Sequence, residues 1–314
     1  MRIIFWGTSE FADPSLERIY NSGFEITCVV TAPEKQAGRG LKLKPSPVRI
    51  IAEKLGLNVV EPLNPNTEDV YQKLNEKQVD LCVLAAYGFL IKSQLLNLPI
   101  KGFVNIHPSL LPKYRGAAPI QRAIIAGEKI TGVTTFFMNE AMDAGDILLQ
   151  TETEIDINET YDELQKRLAQ IGAELIIKTL NLIKDGNIQR KVQDTSQITL
   201  AKKIKKEDCL INWNKQALSI HNLIRGLSAE PGANTHFRDK RVRILKSKIP
   251  DATMLPNIRN VSTPGQILVN TKNLFVQTQS GFLQILTLQI EGGKVISGID
   301  FINGQRLQPE EYFK

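Results

Sequence analysis

Residues Val79-Asp80-Leu81-Cys82-Val83-Leu84-Ala85-Ala86 form a nearly unbroken apolar run with one charge near its start. A strand with one wet face alternates apolar and polar residues, and this run has no face to give to water. It fits where both faces of a sheet are covered, as in a parallel sheet with helices on either side. The flanking segments supply the other parts. Arg2–Gly7, Glu25–Thr31 and the short Val59–Val60 read as strands, and Phe11–Asn21, Pro47–Leu55 and Thr67–Lys77 as helices. Gly23 and Gly56 stand just past two of the helix ends. Gly132–Met138 and Asp146–Ile155 read as later strands. Thr160–Lys184 reads as one long amphipathic helix on Leu164, Leu168, Ile171, Leu175 and Leu182, stopped at Asp185-Gly186. This alternation predicts an α/β domain over residues 1–189, built on a doubly wound, mostly parallel sheet.

Residues 190–206 read as a linker, in a stretch from 187 onward that is rich in Gln, Thr, Ser and Lys and closes with Lys202-Lys203-Ile204-Lys205-Lys206. Beyond it the pattern changes. Ser219–Leu227 is a short helix, and Arg241–Leu245, Gly265–Val269, Leu274–Thr278 and Phe282–Leu288 are strands separated by turn signals. Strands this short and this close suit a small β-barrel of the OB type over 207–314, a frequent nucleic-acid platform. A β-domain used for packing or dimerisation has the same signature.

Charge separates the two parts. Residues 1–189 carry 20 Lys and Arg against 23 Asp and Glu, a net −3, while residues 190–314 carry 19 against 10, a net +9. A basic half suggests a polyanionic partner, and a basic domain that is merely soluble is the alternative. Cys28, Cys82 and Cys209 are odd in number and far apart, so they make neither a disulfide framework nor a zinc spacing, and buried reduced thiols are expected. No apolar leader or span is present in the sequence, and a cytoplasmic location without membrane attachment is expected. The turn Gly7-Thr8-Ser9-Glu10-Phe11 follows a strand and opens a helix, but it lacks the second and third glycines of the dinucleotide fingerprint. A nicotinamide or flavin cofactor is therefore excluded.

Chemistry concentrates between residues 103 and 119. Phe103 and Val104 suit a strand, and Pro108 and Pro112 forbid its continuation. Asn105 and His107 are two apart and point to the same face of an extended chain. An amide and an imidazole then converge where a strand ends, which is where open α/β folds bind ligands. A polar strand end with a surface histidine is the plainer reading. A second feature is the long loop from Pro33 to Pro47, with Lys35, Arg39, Lys42 and Lys44 around Gly38 and Gly40. Loops of this length in compact domains tend to be functional, and this one places a basic arm at the ligand end of the sheet.

These segments carry a resemblance. FWGTSEFA (5–12), AGRGLKLKPSPV (37–48), VLAAYGFLI (83–91), NIHPSLLPKYRGAAPIQ (105–121), MDAGDIL (142–148), IKKEDCLINW (204–213) and IHNLIRGL (220–227) resemble the methionyl-tRNA formyltransferases, a family of folate-dependent formyltransferases, over essentially the whole chain. The resemblance implies a Rossmann-like catalytic domain followed by an OB-like tRNA-binding domain. It implies 10-formyltetrahydrofolate as co-substrate, initiator methionyl-tRNA as acceptor, no metal, and a monomer. It places the catalytic residues at Asn105, His107 and Asp143. The folate contacts fall on Tyr87, Gly88, Phe89, Leu90 and Ile91, on Ser109, Leu110, Leu111 and Pro112, and on Met138, Asn139, Glu140, Ala141 and Met142. Of the tRNA contacts it places Arg39 near the acceptor end and Phe11 near the methionyl moiety, and the basic loop and the basic run add Lys35, Lys42, Lys44, Lys203, Lys205 and Lys206 as contacts expected from charge. One segment departs from the family pattern: Ser228-Ala229-Glu230-Pro231-Gly232 stands where Pro-Trp-Pro-Gly is usual.

Formyl transfer needs donors at the carbonyl oxygen, a group to take a proton from the attacking amine, and a proton for the departing folate nitrogen. An amide, an imidazole and a carboxylate can meet those needs without a covalent enzyme intermediate. A folate-dependent sugar N-formyltransferase would share the catalytic core but would not need the basic loop or the +9 segment. A non-catalytic tRNA-binding protein would not need the three polar residues.

Overall fold

The computed structural model describes residues 1–37, 42–251, 263–270, 272–308 and 310–314. In chain order the elements are β1 (Arg2–Gly7), α1 (Asp13–Asn21), β2 (Glu25–Val30), β3 (Lys35–Ala37), β4 (Lys42–Lys44), α2 (Pro47–Lys54), β5 (Val59–Val60), α3 (Glu68–Asn75), β6 (Leu81–Ala85), α4 (Ser93–Leu96), β7 (Phe103–His107), α5 (Pro119–Ala126), β8 (Ile130–Phe137), β9 (Ile147–Glu154) and α6 (Tyr161–Lys184). There follow α7 (Ala217–Leu227), β10 (Ala233–Phe237), β11 (Lys240–Lys248), β12 (Ile267–Asn270), β13 (Asn273–Gln277), β14 (Phe282–Ile290), β15 (Val295–Ser297) and α8 (Gly298–Gln305).

The chain divides into two compact units: residues 1–119, 130–154 and 165–201, and residues 120–129, 155–164 and 202–314. The first holds a seven-stranded sheet in the order β5-β2-β1-β6-β7-β8-β9. Strands β5 through β7 run parallel, and β8 and β9 are antiparallel additions at one side. The apolar run at 81–85 is β6, fully buried near the middle of the sheet. Gly7 ends β1 where a Cβ would press on Ala12 at 2.8 Å, Phe5 at 2.9 Å and the Ala85 carbonyl at 3.1 Å, so this glycine serves a close chain approach. Thr8 then ties two neighbouring loops, donating to the Tyr87 carbonyl at 3.2 Å and accepting from the Ala32 N–H at 3.3 Å. Helix α6 lies on β7 and β8. Gly172 comes so near that a Cβ would meet Ile106 at 2.9 Å, and Thr179 shares a buried 2.8 Å hydrogen bond with Thr135. Leu168 and Leu175 lie in its buried stripe as the periodicity predicts, but Ile171 and Leu182 are only half-buried. The contact is made by small residues that hydrophobic counting overlooks.

Two parts of the sequence reading are revised. Within the 33–47 loop, β3 and β4 form a short antiparallel hairpin, with Lys35 opposite Lys44. Its own ladder holds it, so no buried face marks it in the sequence. Its base is anchored by a buried Thr31–Ser46 hydroxyl contact of 2.7 Å and by an Arg49–Glu34 ion pair of 2.8 Å. Residues 190–201, which read as linker, belong to the first unit, and residues 120–129 and 155–164 belong to the second. The 155–164 segment is held there by α7. His221 contacts the Ile157 carbonyl at 2.9 Å, and Arg225 donates to the carbonyls of Asp156 at 3.1 Å and Glu159 at 3.0 Å.

The second unit carries an antiparallel sheet in the order β10-β11-β14-β13-β12, with β15 on β14. Its two outer strands do not remain open. Phe313 bridges to Phe237 of β10, Tyr312 bridges to Gln266 beside β12, and Lys314 and His236 exchange backbone hydrogen bonds of 2.9 Å. The C-terminal tail thus joins the sheet's two ends and removes its edges. Phe313 also stacks on Trp213 with ring centroids 5.9 Å apart, and Trp213 donates to Thr235 at 3.0 Å. All three cysteines are free and buried, and burial raises each thiol's pKa, Cys28 to about 11. No helix among the described residues is long and apolar enough to cross a membrane.

This packing makes two stability predictions. Phe313→Ala removes a buried ring from the closure and is expected to cost roughly 3–5 kcal/mol, read as a lower urea midpoint. His221 is 1 % exposed; burial, opposed by the Ile157 carbonyl and reinforced by the Arg225 charge, holds its pKa below the ordinary value. A depressed pKa favours the neutral ring in the fold, so this stability is present above about pH 6.5 and is lost as pH falls below that value. Melting curves between roughly pH 7.5 and 5.5 should show a steeper loss for the native chain than for His221→Asn.

Candidate active site

Strand β7 is paired on both sides, with Asn105 opposite Leu84 of β6 and Phe136 of β8, and His107 opposite Thr134. All five of its residues are buried. Ile106 faces α6 at Gly172, so the period of two sends Asn105 and His107 to the opposite face. There the carboxylate of Asp143 meets them. The His107 Nδ1 lies 3.8 Å from Asp143 Oδ2, with the two side chains 6% and 13% exposed. The other ring nitrogen, Nε2, lies 3.0 Å from the Tyr114 carbonyl oxygen. A carbonyl can only accept, so Nε2 carries a hydrogen and Nδ1 is the nitrogen free to gain or give a proton. Asp143 Oδ2 accepts from the Gly116 N–H at 2.8 Å. Asp143 has φ +49°, a left-handed conformation that aspartate adopts more readily than most residues.

Asn105 and Asp143 open on a cleft of about 260 Å³. Its wall is mostly apolar, from Leu84, Phe89, Leu90, Ile91, Phe136 and Met138, and Met142 stands at its margin, 64% exposed. Asn105 Oδ1 is buried and has no hydrogen-bond partner among the described protein groups. An apolar slot ending in convergent polar groups suits a flat heteroaromatic ring with a reactive polar end, as a reduced folate has.

The expected site residues separate into groups. Gly88, Phe89, Leu90, Ile91, Met138, Asn139, Glu140, Ala141 and Met142 all line this cleft with Asn105 and Asp143. Tyr87 lies behind it, 1% exposed and edge-on to Trp6. Ser109, Leu110, Leu111 and Pro112 are not among the lining residues. Thr134 donates to the Ser109 carbonyl at 2.7 Å and accepts from the Leu111 N–H at 3.1 Å, and Leu111 packs on Phe136 and Ile147. They brace the wall from behind. Phe11 is 4% exposed and buried in the core near Gly172. Lys44, Lys203, Lys205 and Lys206 are exposed. Arg39 lies outside the described residues, as do the side chains of Lys35 and Lys42. Leu84, Gly116, Ala117 and Phe136 line the cleft without having been singled out. Gly116 and Ala117 lie within the 105–121 motif, whereas Leu84 and Phe136 look like ordinary strand residues. Among the described residues, no three His, Cys, Asp or Glu side chains gather as a metal site.

Comparison with known proteins identifies the family of the chain. The formyl transferase family model matches residues 1–180, and that of the formyl transferase C-terminal domain matches residues 203–306. A methionyl-tRNA formyltransferase of Carboxydothermus hydrogenoformans is 45% identical over 100% of both chains. Another from Thermodesulfovibrio yellowstonii is 41% identical over 97% of this chain and 96% of that one. The fold is shared with a sugar 3N-formyl transferase solved in the presence of dTDP and 5-N-formyl-THF, at a TM-score of 0.67 and 20% identity over 94% of this chain and 99% of that one. With its strand-end amide and imidazole, its facing carboxylate and full-length identity of this level, the chain belongs to the methionyl-tRNA formyltransferase family.

Proposed function

We infer that this chain transfers the formyl group of 10-formyltetrahydrofolate to the amino group of methionine on initiator tRNA. The observation that carries the chemistry is the approach of His107 to Asp143 at the end of β7, with Asp143 and Asn105 both lining an apolar cleft. The folate supplies an activated formyl group when bound. Residues of the 88–91 and 138–142 loops would hold it, with Asn105 and Asp143 at the reacting end.

The protein's part is electrostatic and protonic. As the amine adds, negative charge grows on the formyl oxygen, and the Asn105 amide N–H is a fixed donor for it. With Nε2 committed to Tyr114, His107 acts through Nδ1: protonated, it is a second donor; neutral, it accepts. Asp143 is held by the Gly116 N–H and gives a protonated Nδ1 an anionic partner. It also offers an acceptor for the proton lost by the amine, through water where the reach requires it, and that proton passes by way of His107 Nδ1 to the folate nitrogen as its bond to the formyl carbon breaks. No serine or cysteine nucleophile enters this account.

The exposed Lys203, Lys205 and Lys206, the basic segment of the sequence with Lys35, Arg39, Lys42 and Lys44, and the +9 charge of residues 190–314 support a grip on tRNA phosphates. Phe11 would act from inside the core, by shaping the chain near the acceptor end. A cytoplasmic monomer fits free buried thiols and a second-unit sheet whose outer strands are covered by the tail.

The decisive assay offers purified protein 10-formyltetrahydrofolate with initiator methionyl-tRNA and, separately, an amino-sugar nucleotide. Formyl-methionyl-tRNA should form at catalytic rates; transfer to the sugar alone would overturn the acceptor assignment. Asn105→Ala, His107→Ala and Asp143→Ala should each lower turnover by about 10²–10³ while tRNA binding is retained. Near-native turnover in His107→Ala would sink the mechanism. Replacing Lys203, Lys205 and Lys206 together with Ala should raise KM for tRNA but not for folate. The same change should flatten the salt dependence of tRNA affinity by about one logarithmic unit of slope for each phosphate no longer neutralised. An unchanged slope would remove these lysines from the tRNA surface.

A further inference from the structure

The segment that reads as linker reaches the back of the catalytic loops. Lys191 and Ile147 exchange backbone hydrogen bonds of 2.8 and 2.9 Å, and the Arg190 guanidinium lies 4.2 Å from the Phe137 ring centroid. Between these anchors and residue 201 sits Gln193, 5% exposed. Its Nε2 donates to the carbonyl oxygens of Asp143 at 2.9 Å and Gly145 at 2.7 Å. Its Oε1 accepts from Arg115 Nε at 3.1 Å and Nη2 at 2.8 Å. Both amide hydrogens and both oxygen lone pairs are thereby used. Further along, Thr199 accepts from the Tyr114 N–H through its hydroxyl at 2.8 Å and from the Arg115 N–H through its carbonyl at 2.9 Å.

Two of these contacts, to the Asp143 carbonyl and to the Tyr114 N–H, fall on residues that bear on the catalytic pair. The Tyr114 carbonyl sets the tautomer of His107, and Asp143 stands in a left-handed turn. Gly145 ends that turn where a Cβ would collide with the Phe137 carbonyl oxygen. We propose that Gln193 is a positioning residue: with Arg115 it clamps the carbonyls of Asp143 and Gly145, and so directs the Asp143 carboxylate at His107 Nδ1. The proposal rests on the roles given to Asp143 and His107 above. Glutamine suits the position because a single planar group must present donors to two carbonyls and an acceptor to a guanidinium. Glutamate would set a carboxylate against the carbonyls, and methionine would keep the volume with no hydrogen bonds.

The test is a kinetic cycle on the full chain, with Gln193→Met alone, Asp143→Ala alone and both together. Gln193→Met is expected to lower kcat by about 10–100-fold while KM for folate and for methionyl-tRNA changes less than about threefold, since a misplaced catalytic group reduces rate without weakening substrate binding. In the Asp143→Ala background the same change is expected to lower kcat by less than about twofold, because the group it positions is gone. An equal loss in both backgrounds, or native kcat in Gln193→Met, overturns the proposal. Should Gln193→Met not fold, Arg115→Lys carries the test, because lysine cannot give the two-pronged donor; a kcat loss of about 3–10-fold confined to chains with Asp143 is expected, and a loss independent of Asp143 overturns the clamp. Full activity of Asp143→Ala would overturn the site assignment and the clamp together. An inactive Asp143→Ala beside a fully active Gln193→Met would remove the clamp alone.

Discussion

The site depends on the pairing of β7 between β6 and β8. Because both edges of β7 are hydrogen-bonded, its backbone cannot rotate, and the strict alternation of side chains becomes a positioning device. Ile106 is pressed against α6 at Gly172, so Asn105 and His107 have one side left to occupy. A register slip of one residue would exchange these faces and bury the polar pair under the helix, which is costly enough to exclude it. The direction of the Asn105–His107 pair is thus enforced by the same packing that closes the hydrophobic core. The antiparallel pairing with β8 also matters, since Thr134 on that strand braces the Ser109–Leu111 segment that follows His107.

Electrostatics then refine what packing has placed. His107 is held by a carbonyl on one nitrogen and faces a carboxylate with the other, so only Nδ1 is left to change its protonation. Asp143 has both its side chain and its backbone restrained, by Gly116 and Gln193. Asn105 is the opposite case, a buried amide with an oxygen left unpaired.

The second unit is stabilised by a different device. Its antiparallel sheet would present two open edges, and the last residues of the chain cover both. Inside, a buried histidine and a buried arginine of α7 are satisfied largely by carbonyls of the 155–160 stretch. The IHNLIRGL motif is therefore structural here, and its polar residues do not form a second reactive site. The departure at Ser228–Gly232 stays compatible with this packing: the Ala229 N–H donates to Asp162 at 2.9 Å, and Arg243 pairs with Glu230 at 2.9 Å.

How much was legible follows from how each feature is encoded. The buried run at 81–85, the strand at 103–107 and the long helix at 161–184 are written in local periodicity, which burial imposes on any chain with such a core. Asn105, His107 and Asp143 could be named from motif resemblance, and spacing alone joined the first two. The hairpin at 35–44, the small-residue contact of α6 and the closing tail escaped because backbone ladders and close approach leave no hydrophobic signature. The strap at 190–201 was misread as linker for the same reason: its contacts are polar and reach residues far away in the chain, Tyr114 and Arg115 among them. By itself the sequence determined the layers, the strand that bears the chemistry and the sign of charge on each half. Only the tertiary structure decided which nitrogen of His107 faces Asp143, how Asp143 is held and what supports it, because hydrogen bonds between distant segments depend on angles that no local pattern records.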